Sequence, residues 1–198
     1  MVIAFIGLGE VGSTYSSGLA RNGATVKGYD IKFDTEGKEN FVDYQKCLDA
    51  GVQLVDSPKE LIEGSDIIIA VTSCSQAMET AAMYKPFLKK EQLYCEWNST
   101  VPDLVRKVEA FLGDNCTFVD CCTLCSPSMF GVATPCCSCG PAGEQTANEL
   151  NAYGMKIRYM GDSIGQASAF KVIRSIFTKS LEATLVESLA LSLIHISE

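Results

Sequence analysis

The sequence predicts an α/β fold in which helices cover both faces of a doubly wound, mostly parallel sheet. Three observations carry this prediction. Short apolar and β-branched runs alternate with segments of helical periodicity along the chain. Residues 67–71 form a continuous apolar run, as expected for a strand that is buried on both faces. A glycine-rich turn joins the first strand to the first helix, as in dinucleotide-binding folds.

Composition limits the functions that this chain can have. Its 198 residues are 47% hydrophobic and 20% charged, enough for one domain or one and a half with a sizeable core. The formal net charge of −8 argues against binding to nucleic acid or to an anionic membrane surface. No segment resembles a signal peptide or is long enough to span a bilayer, so we expect a cytoplasmic protein.

The first strand and helix carry the most informative motif. Residues 2–6 predict a strand that leads directly into Gly7-x-Gly9-x-x-Gly12 and a helix. Gly7 permits the tight turn, Gly9 lets the backbone approach a pyrophosphate, and Gly12 lets the helix pack close to the strand. The N–H groups and the dipole at the helix start would hold the phosphates. The motif therefore predicts a Rossmann-type domain that binds NAD or NADP.

A carboxylate at the end of the second predicted strand, 25–29, bears on the choice between these cofactors. Asp30 lies about 20 residues after the glycine motif, where an acid meets the adenosine ribose. Because a carboxylate repels a 2′-phosphate, Asp30 favours NAD, although Lys32 nearby would reduce that repulsion.

The remaining elements follow from periodicity and capping signals. Residues 34–50 predict a loop and a helix, with Phe41, Tyr44 and Cys47 at helical spacing. Ser57-Pro58 predicts a helix start, and Ser73 or Ser75 is expected to cap the next helix. The further predicted strands are 52–55, 93–97, 117–119, a segment near 136–138 and 156–160, and the further helices are 103–112, 141–153 and a long one from 165, with most of 121–140 as a loop.

Ten cysteines are more than usual, and seven of them lie within residues 116–139. The spacings Cys122-x-x-Cys125 and Cys137-x-Cys139 would suit zinc or an iron–sulfur cluster. Adjacent strand residues point to opposite faces, however, so half of these thiols could not converge on one ion. Because a free cysteine packs like a small apolar residue, we expect core filling and no metal. A metal site and a redox-sensitive thiol cluster are the alternatives.

A second cluster lies at the start of the long predicted helix. Gly161, Gly165 and a run of small residues lead to Lys171, and Arg174 and Ser175 follow at positions i+3 and i+4. One helical face would thus offer an amine, a guanidinium and a hydroxyl. A solvent-exposed basic face would show the same pattern.

Together these motifs resemble those of the β-hydroxyacid dehydrogenases, which include the 6-phosphogluconate and 3-hydroxyisobutyrate dehydrogenases. The resemblance extends from residue 1 to about residue 190 and is greatest to the phosphogluconate-dehydrogenase-like branch that has its own helical C-terminal domain. It rests on Gly7-Leu8-Gly9-x-x-Gly12, Asn98-Ser99-Thr100-Val101-Pro102, Asp120 and the approach to Lys171, with segments 167–175 and 178–183.

The resemblance implies hydride transfer between NAD(P) and a small β-hydroxy acid. Lys171 would be the general acid or base, Ser175 stands where many relatives have asparagine, and Thr123 and Arg174 would contact the substrate. The sequence after Asp120 departs from the serine and glycine pattern of the family, which leaves the substrate open. The cofactor-binding residues would be Gly7, Leu8, Gly9, Glu10, Val11, Gly12, Asp30, Val71, Thr72 and Ser99.

The end of the chain gives a separate set of expectations. Residues 191–198 resemble an in-frame translation of a sequencing adapter, so we expect His195 to have no catalytic role. The expected division is a Rossmann-type domain over 1–163 and, over 164–190, the start of a long helix that leads to a missing helical C-terminal domain. The resemblance implies a homodimer at full length. Alternatives are an imine-reductase-like enzyme, which Lys171 argues against, or a non-catalytic NAD(P)-binding or cysteine-based redox-sensing module.

Overall fold

A single eight-stranded sheet forms the centre of the protein in the computed structural model, which describes residues 1–37, 40 and 43–196. Phe41, from the predicted helical pattern, lies outside the described residues. The strands are β1 (Val2–Ile6), β2 (Thr25–Tyr29), β3 (Gln53–Leu54), β4 (Ile67–Ala70), β5 (Leu93–Glu96), β6 (Thr117–Thr123), β7 (Pro135–Cys139) and β8 (Lys156–Tyr159). The helices are α1 (Glu10–Arg21), α2 (Lys32–Glu36), α3 (Tyr44–Asp49), α4 (Pro58–Ile62), α5 (Ala77–Tyr84), α6 (Pro102–Leu112), α7 (Pro127–Phe130), α8 (Gly143–Asn151) and α9 (Gln166–Ile196).

The strand order is β3-β2-β1-β4-β5-β6-β7-β8. The pairs from β3 to β6 are parallel, β7 is antiparallel to β6, and β8 is parallel to β7. All four residues of the central strand β4 are fully buried, which explains its unbroken apolar sequence. The predicted α/β fold with a doubly wound, mostly parallel sheet is confirmed.

The capping predictions were half right. The Ser57 hydroxyl accepts the N–H of Glu60 at 3.3 Å and Pro58 occupies the first turn of α4, as predicted. Neither Ser73 nor Ser75 caps α5, because a 3₁₀ turn precedes that helix. Their hydroxyls lie 3.1 Å apart instead.

The prediction of a loop after residue 120 was wrong for its first part, because β6 continues through Thr123 and forms a hairpin with β7. Cys121 and Cys136 pack into the main core, whereas Cys122 and Cys137 belong to a second cluster. The predicted alternation between opposite faces is therefore confirmed, and these cysteines fill the interior of the protein.

The helix α9 starts against the sheet and then extends away from it. Its side chains from residue 176 to residue 194 are exposed. The large apolar ones among them include Ile176, Phe177, Leu181, Leu185, Val186 and Leu189. Among the described residues, none of the helices combines the length and the apolar character needed to cross a membrane.

Candidate nucleotide and substrate site

The turn between β1 and α1 shows which of its glycines the protein itself requires. Gly7 has φ +90°, and a Cβ there would lie 2.7 Å from the Val71 carbonyl oxygen. A Cβ on Gly12 would lie 2.1 Å from the Gly7 oxygen. A Cβ on Gly9, in contrast, would meet no atom within 4 Å. Gly9 also caps α1 without a side-chain hydrogen bond, so this helix start offers open space and N–H donors that suit a phosphate.

Asp30 is held directly beside this turn. Its Oδ2 accepts the N–H of Leu8 at 2.8 Å, and its Oδ1 accepts the N–H of Lys32 at 3.0 Å. The N–H of Gly7 donates to the Tyr29 carbonyl at 2.9 Å. The end of β2 is therefore fixed against the glycine turn, with the carboxylate at the position that the sequence predicted for ribose binding.

A first cavity of about 290 Å³ lies beside the glycine turn. Of the predicted cofactor-binding residues, Gly7, Gly9, Asp30, Val71 and Thr72 line it. The α5 side chains of Thr80, Met83 and Tyr84 also line it but were missed by the sequence analysis. Their spacing of three and four along the helix that follows β4 was the available signal.

Not every predicted cofactor residue lines that cavity. The Leu8 side chain is fully buried in the core, so only its backbone belongs to the turn. The Glu10 side chain is exposed in the first turn of α1, where its carboxylate accepts a hydrogen bond from Ser126 at 3.4 Å. Val11 and Ser99 line a second cavity instead.

The second cavity has a volume of about 360 Å³ and adjoins the first, because Val71 and Thr72 line both. Lys171 also lines the second cavity, and its Nζ donates to the Ser99 hydroxyl at 2.5 Å. Burial lowers the pKa of the Lys171 amine, and the positive charge of Arg174 acts in the same direction. The structure therefore places the glycine turn and Lys171, both singled out from the sequence, in the walls of two neighbouring cavities.

Lys171 owes its position to Asp120, which is fully buried within β6. The Asp120 carboxylate accepts the Ser168 hydroxyl at 2.6 Å and the N–H groups of Gly165 at 3.0 Å and Ser168 at 3.2 Å. It thus satisfies backbone donors at the start of α9, one turn before Lys171. These hydrogen bonds show that Asp120 anchors the start of α9 to strand β6.

The side chains of Arg174 and Ser175, which were predicted on one helical face with Lys171, have different surroundings in the structure. The Arg174 guanidinium donates to the Leu124 carbonyl and lies 3.9 Å from the Cys125 sulfur. Its long side chain thus reaches the segment after β6, and it is not among the described residues that line the cavities. Ser175 lines a third cavity, together with Ser99 and Lys171.

Thr123, predicted to contact substrate, lines the second cavity with its hydroxyl already engaged. Trp97 Nε1 donates to Thr123 Oγ1 at 3.0 Å, and the Tyr15 hydroxyl lies 3.1 Å from the same atom. The two aromatic residues therefore fix the threonine in the cavity wall.

Glu96 is a residue of this region that the sequence analysis missed. It is 1% exposed, its Oε1 accepts the N–H of Asn98 at 3.1 Å, and its Oε2 has no hydrogen-bond partner among the described residues. Burial, assisted by the nearby carboxylate of Asp120, raises its pKa to about 7, although the hydrogen bonds with Asn98 act in the opposite direction. An acid as the last residue of an otherwise apolar strand was the available signal.

In the part of the chain that the structure describes, no three or more His, Cys, Asp or Glu side chains are grouped so that they could hold a metal ion. Two of the cysteines, Cys122 and Cys137, are in contact, with their sulfurs 3.1 Å apart across the β6–β7 hairpin. Their proximity follows from the strand register.

Comparison with known proteins identifies the family. The model of the NAD binding domain of 6-phosphogluconate dehydrogenase matches residues 2–124. An uncharacterized 28.5 kDa protein encoded in the 7S RNA 5′ region of Methanothermus fervidus is 29% identical over 191 residues, covering 94% of this chain and 69% of that protein.

Solved structures extend the comparison over most of this chain. A conserved hypothetical protein from Sinorhizobium meliloti 1021 is 27% identical with a TM-score of 0.85, and the match covers 95% of this chain and 63% of that one. The 3-hydroxyisobutyrate dehydrogenase of Mycobacterium tuberculosis, studied with L-serine, is 18% identical with a TM-score of 0.81 and coverages of 96% and 64%. An imine reductase variant from Myxococcus stipitatus in complex with NAD⁺ is 20% identical with a TM-score of 0.75 and coverages of 95% and 62%.

The last two likenesses show the fold alone, and this chain spans less than two thirds of each of these three solved chains. The family model, in contrast, covers more than half of this chain and includes the glycine turn and Asp30. The chain therefore belongs to the family of the NAD binding domain of 6-phosphogluconate dehydrogenase.

Proposed function

We propose that this protein is an NAD(P)-dependent oxidoreductase that transfers hydride between the nicotinamide cofactor and a small β-hydroxy acid. The observation that carries the proposal is the position of Lys171. Its amine, whose pKa is lowered by burial, lines a cavity that adjoins the cavity of the glycine turn. A nucleotide site and a group able to move a proton are thus neighbours.

The first cavity would hold the adenosine half of the cofactor. The open space at Gly9 and the N–H groups of α1 suit the pyrophosphate, and Asp30 would accept the ribose hydroxyls. Asp30 favours NAD because its carboxylate repels a 2′-phosphate. Val71, Thr72 and Ser99, which line the second cavity, would lie near the nicotinamide half.

When bound, the cofactor supplies the hydride acceptor or donor. In oxidation, the neutral amine of Lys171 takes the proton of the substrate hydroxyl while hydride leaves the same carbon. In reduction, the Lys171 ammonium returns that proton to the carbonyl oxygen. The bond to Ser99 directs the amine, and a lowered pKa raises the fraction of neutral base near neutral pH. Ser175 would hydrogen-bond a substrate oxygen.

The substitution Lys171→Met tests this role, since it retains much of the side-chain length and removes the base. We expect hydroxy-acid oxidation to fall by about 10² or more while NADH affinity is unchanged. Turnover is followed by nicotinamide absorbance over a panel of hydroxy acids, and affinity by NADH fluorescence titration. Lys59→Met, at an exposed position on α4, is the control. Undiminished oxidation by Lys171→Met would disprove the assignment.

An imine-reductase-like activity is the second candidate, because an imine reductase shares the fold with a TM-score of 0.75. The argument against it is Lys171, since imine reductases resembling this chain generally lack a lysine there. Adding cyclic imines to the substrate panel separates the two. Imine reduction that persists in Lys171→Met would favour the reductase.

A redox-sensing module is less well supported. The contact between Cys122 and Cys137 brings two thiols together, but both are about 1% exposed. The hydrogen bond between them and burial raise the pKa of Cys122, which disfavours the reactive thiolate. The pair therefore suits a packed core better than a sensor.

The family resemblance also implies a homodimer in the cytoplasm. The exposed apolar side chains of α9 are compatible with a subunit interface. Light scattering on the purified protein measures its mass in solution and tests the dimer directly.

A further inference from the structure

A buried acid, Glu96, lies behind the cavity walls and has no part in the proposed reaction. It ends β5, and its partner in the parallel register of β6 is Asp120, so two buried carboxylates are neighbours in the sheet. Asp120 accepts N–H donors at the start of α9. In the part of the chain that the structure describes, Glu96 Oε2 has no hydrogen-bond partner and no cation forms an ion pair with this side chain. An ionised carboxylate without a counter-charge is unfavourable in a protein interior.

A short series of contacts connects Glu96 with the place where the first two cavities meet. Its Oε1 accepts the N–H of Asn98 at 3.1 Å, and the Asn98 Oδ1 accepts the hydroxyl of Thr72 at 3.4 Å. Asn98 lines the second cavity, and Thr72 lines both cavities. The carboxyl group of Glu96 is therefore shielded from solvent but lies close enough to the second cavity to interact with a charge placed there.

The two redox forms of the cofactor differ in charge at the nicotinamide ring. The ring carries a positive charge in NAD⁺ and is neutral in NADH, whereas the adenosine, the pyrophosphate and the second ribose are the same in both. In the proposed function the nicotinamide half lies beside Val71, Thr72 and Ser99, in the second cavity. Only the oxidised ring would thus bring a positive charge toward Glu96.

We propose that Glu96 determines the preference of this protein between the two redox forms of its cofactor, because its buried carboxylate attracts the oxidised nicotinamide ring and not the reduced one. This inference rests on the proposed function, which assigns the nicotinamide half to the second cavity. Two unit charges about 10 Å apart, at an effective dielectric constant of about 20, change a binding constant by about tenfold. Ionised Glu96 should therefore raise the ratio of the NADH dissociation constant to the NAD⁺ dissociation constant by about this factor.

This preference should depend on pH in a defined direction. Burial raises the pKa of Glu96 to about 7, so the group is protonated at pH 5.5 and ionised at pH 8. NAD⁺ should therefore bind more tightly at pH 8, while NADH gains nothing from the ionisation. Burial also raises the pKa of Tyr94 well above its ordinary value, so this neighbour stays neutral. The other titratable or charged side chains around Glu96 are Asp120 on β6, Arg106 and Glu109 beyond Asp120 on α6, and Lys171 of α9 in the second cavity.

Fluorescence titration of the full chain with NADH, followed by displacement with NAD⁺, measures both dissociation constants without a substrate. In the unmodified protein we expect the ratio of the NADH constant to the NAD⁺ constant to rise about tenfold from pH 5.5 to pH 8. Glu96→Gln keeps the acceptor for Asn98 and should hold the ratio at its low value at both pH values. Glu91→Gln, at an exposed position, should behave like the unmodified protein.

Lys171→Met separates Glu96 from the other titratable group that is close to the ring. A pH dependence that persists in Lys171→Met and is lost in Glu96→Gln supports the inference, provided that Glu96→Gln melts at or above the temperature of the unmodified protein at pH 8. Equal ratios for Glu96→Gln and the unmodified protein at pH 8 would overturn it and leave the proposed function intact. A dependence lost only in Lys171→Met would assign the discrimination to the lysine. If neither NADH nor NAD⁺ binds, the inference and the proposed function are both wrong.

Discussion

The substitution Glu96→Gln should stabilise the protein at alkaline pH and not at acidic pH. Glu96 is 1% exposed, and its Oε1 accepts the N–H of Asn98. Glutamine retains a carbonyl oxygen for that bond and has nearly the same shape. It removes the charge that the carboxylate must carry in a buried environment above its pKa.

The magnitude follows from the pKa of the buried group. Burial raises this pKa from 4.5 to about 7. Each unit of difference between the pKa values of the folded and unfolded states corresponds to about 1.36 kcal/mol, so the charged carboxylate destabilises the folded state by about 3 kcal/mol. The folded state holds the proton more tightly than the unfolded state, so the free energy of unfolding falls as the pH rises from about 4.5 to 7. Glutamine does not titrate and abolishes that loss.

Urea denaturation of both proteins at pH 4.5 and pH 8 measures the effect. We expect the difference in free energy of unfolding, Glu96→Gln minus the unmodified protein, to be about 3 kcal/mol larger at pH 8 than at pH 4.5. Comparing the two pH values cancels any constant cost of the new amide. Glu91→Gln, at an exposed position, controls for removal of a carboxylate. Equal effects of Glu96→Gln at both pH values would refute the assignment of Glu96 as a buried, destabilised carboxylate.

Three further predictions concern the nucleotide site and the thiols. Gly12→Ala places a Cβ 2.1 Å from the Gly7 oxygen and should destabilise the fold by about 1–3 kcal/mol. In Gly9→Ala the new Cβ meets no protein atom within 4 Å, so stability should be retained. NADH affinity should drop about tenfold, because the Cβ occupies the space expected for the pyrophosphate. Equal melting temperatures of Gly12→Ala and Gly9→Ala would contradict this contrast. Asp30→Ser should shift the ratio of NADPH to NADH affinity toward NADPH by about tenfold or more, measured by fluorescence titration, and an unchanged ratio would show that Asp30 does not select the cofactor. A thiol-reactive dye should label Cys74 and Cys125 in the native protein before the eight buried cysteines, and rapid loss of Cys122 and Cys137 would support redox sensing instead.

Local signals explain the parts of the fold that the sequence predicted well. The glycine turn sets the end of β1, and Ser57-Pro58 sets the start of α4, because each signal acts within a few residues. The β6–β7 hairpin was predicted poorly, because the pairing of Cys122 with Cys137 depends on the tertiary register of the two strands and not on a local pattern.

The candidate site likewise contains residues that a local motif predicts and residues whose placement depends on the tertiary fold. Gly7, Gly9 and Asp30 were found because a motif with fixed spacing places them. The direction of the Arg174 side chain depends on Leu124, fifty residues away along the chain, as the contact between them shows. The burial of Glu96 likewise depends on neighbouring elements of the fold, and its position at the end of an apolar strand indicates only that it could be buried.

The anchoring of α9 by Asp120 has a consequence for amide hydrogen exchange. Asp120 belongs to the sheet and holds the N–H groups of Gly165 and Ser168, so these protons should exchange only when the sheet opens. Beyond residue 176 the helix is exposed, and its amides should exchange by local fraying. Lys171 therefore lies at a boundary of local stability, where its position follows the sheet while the helix beyond it opens independently.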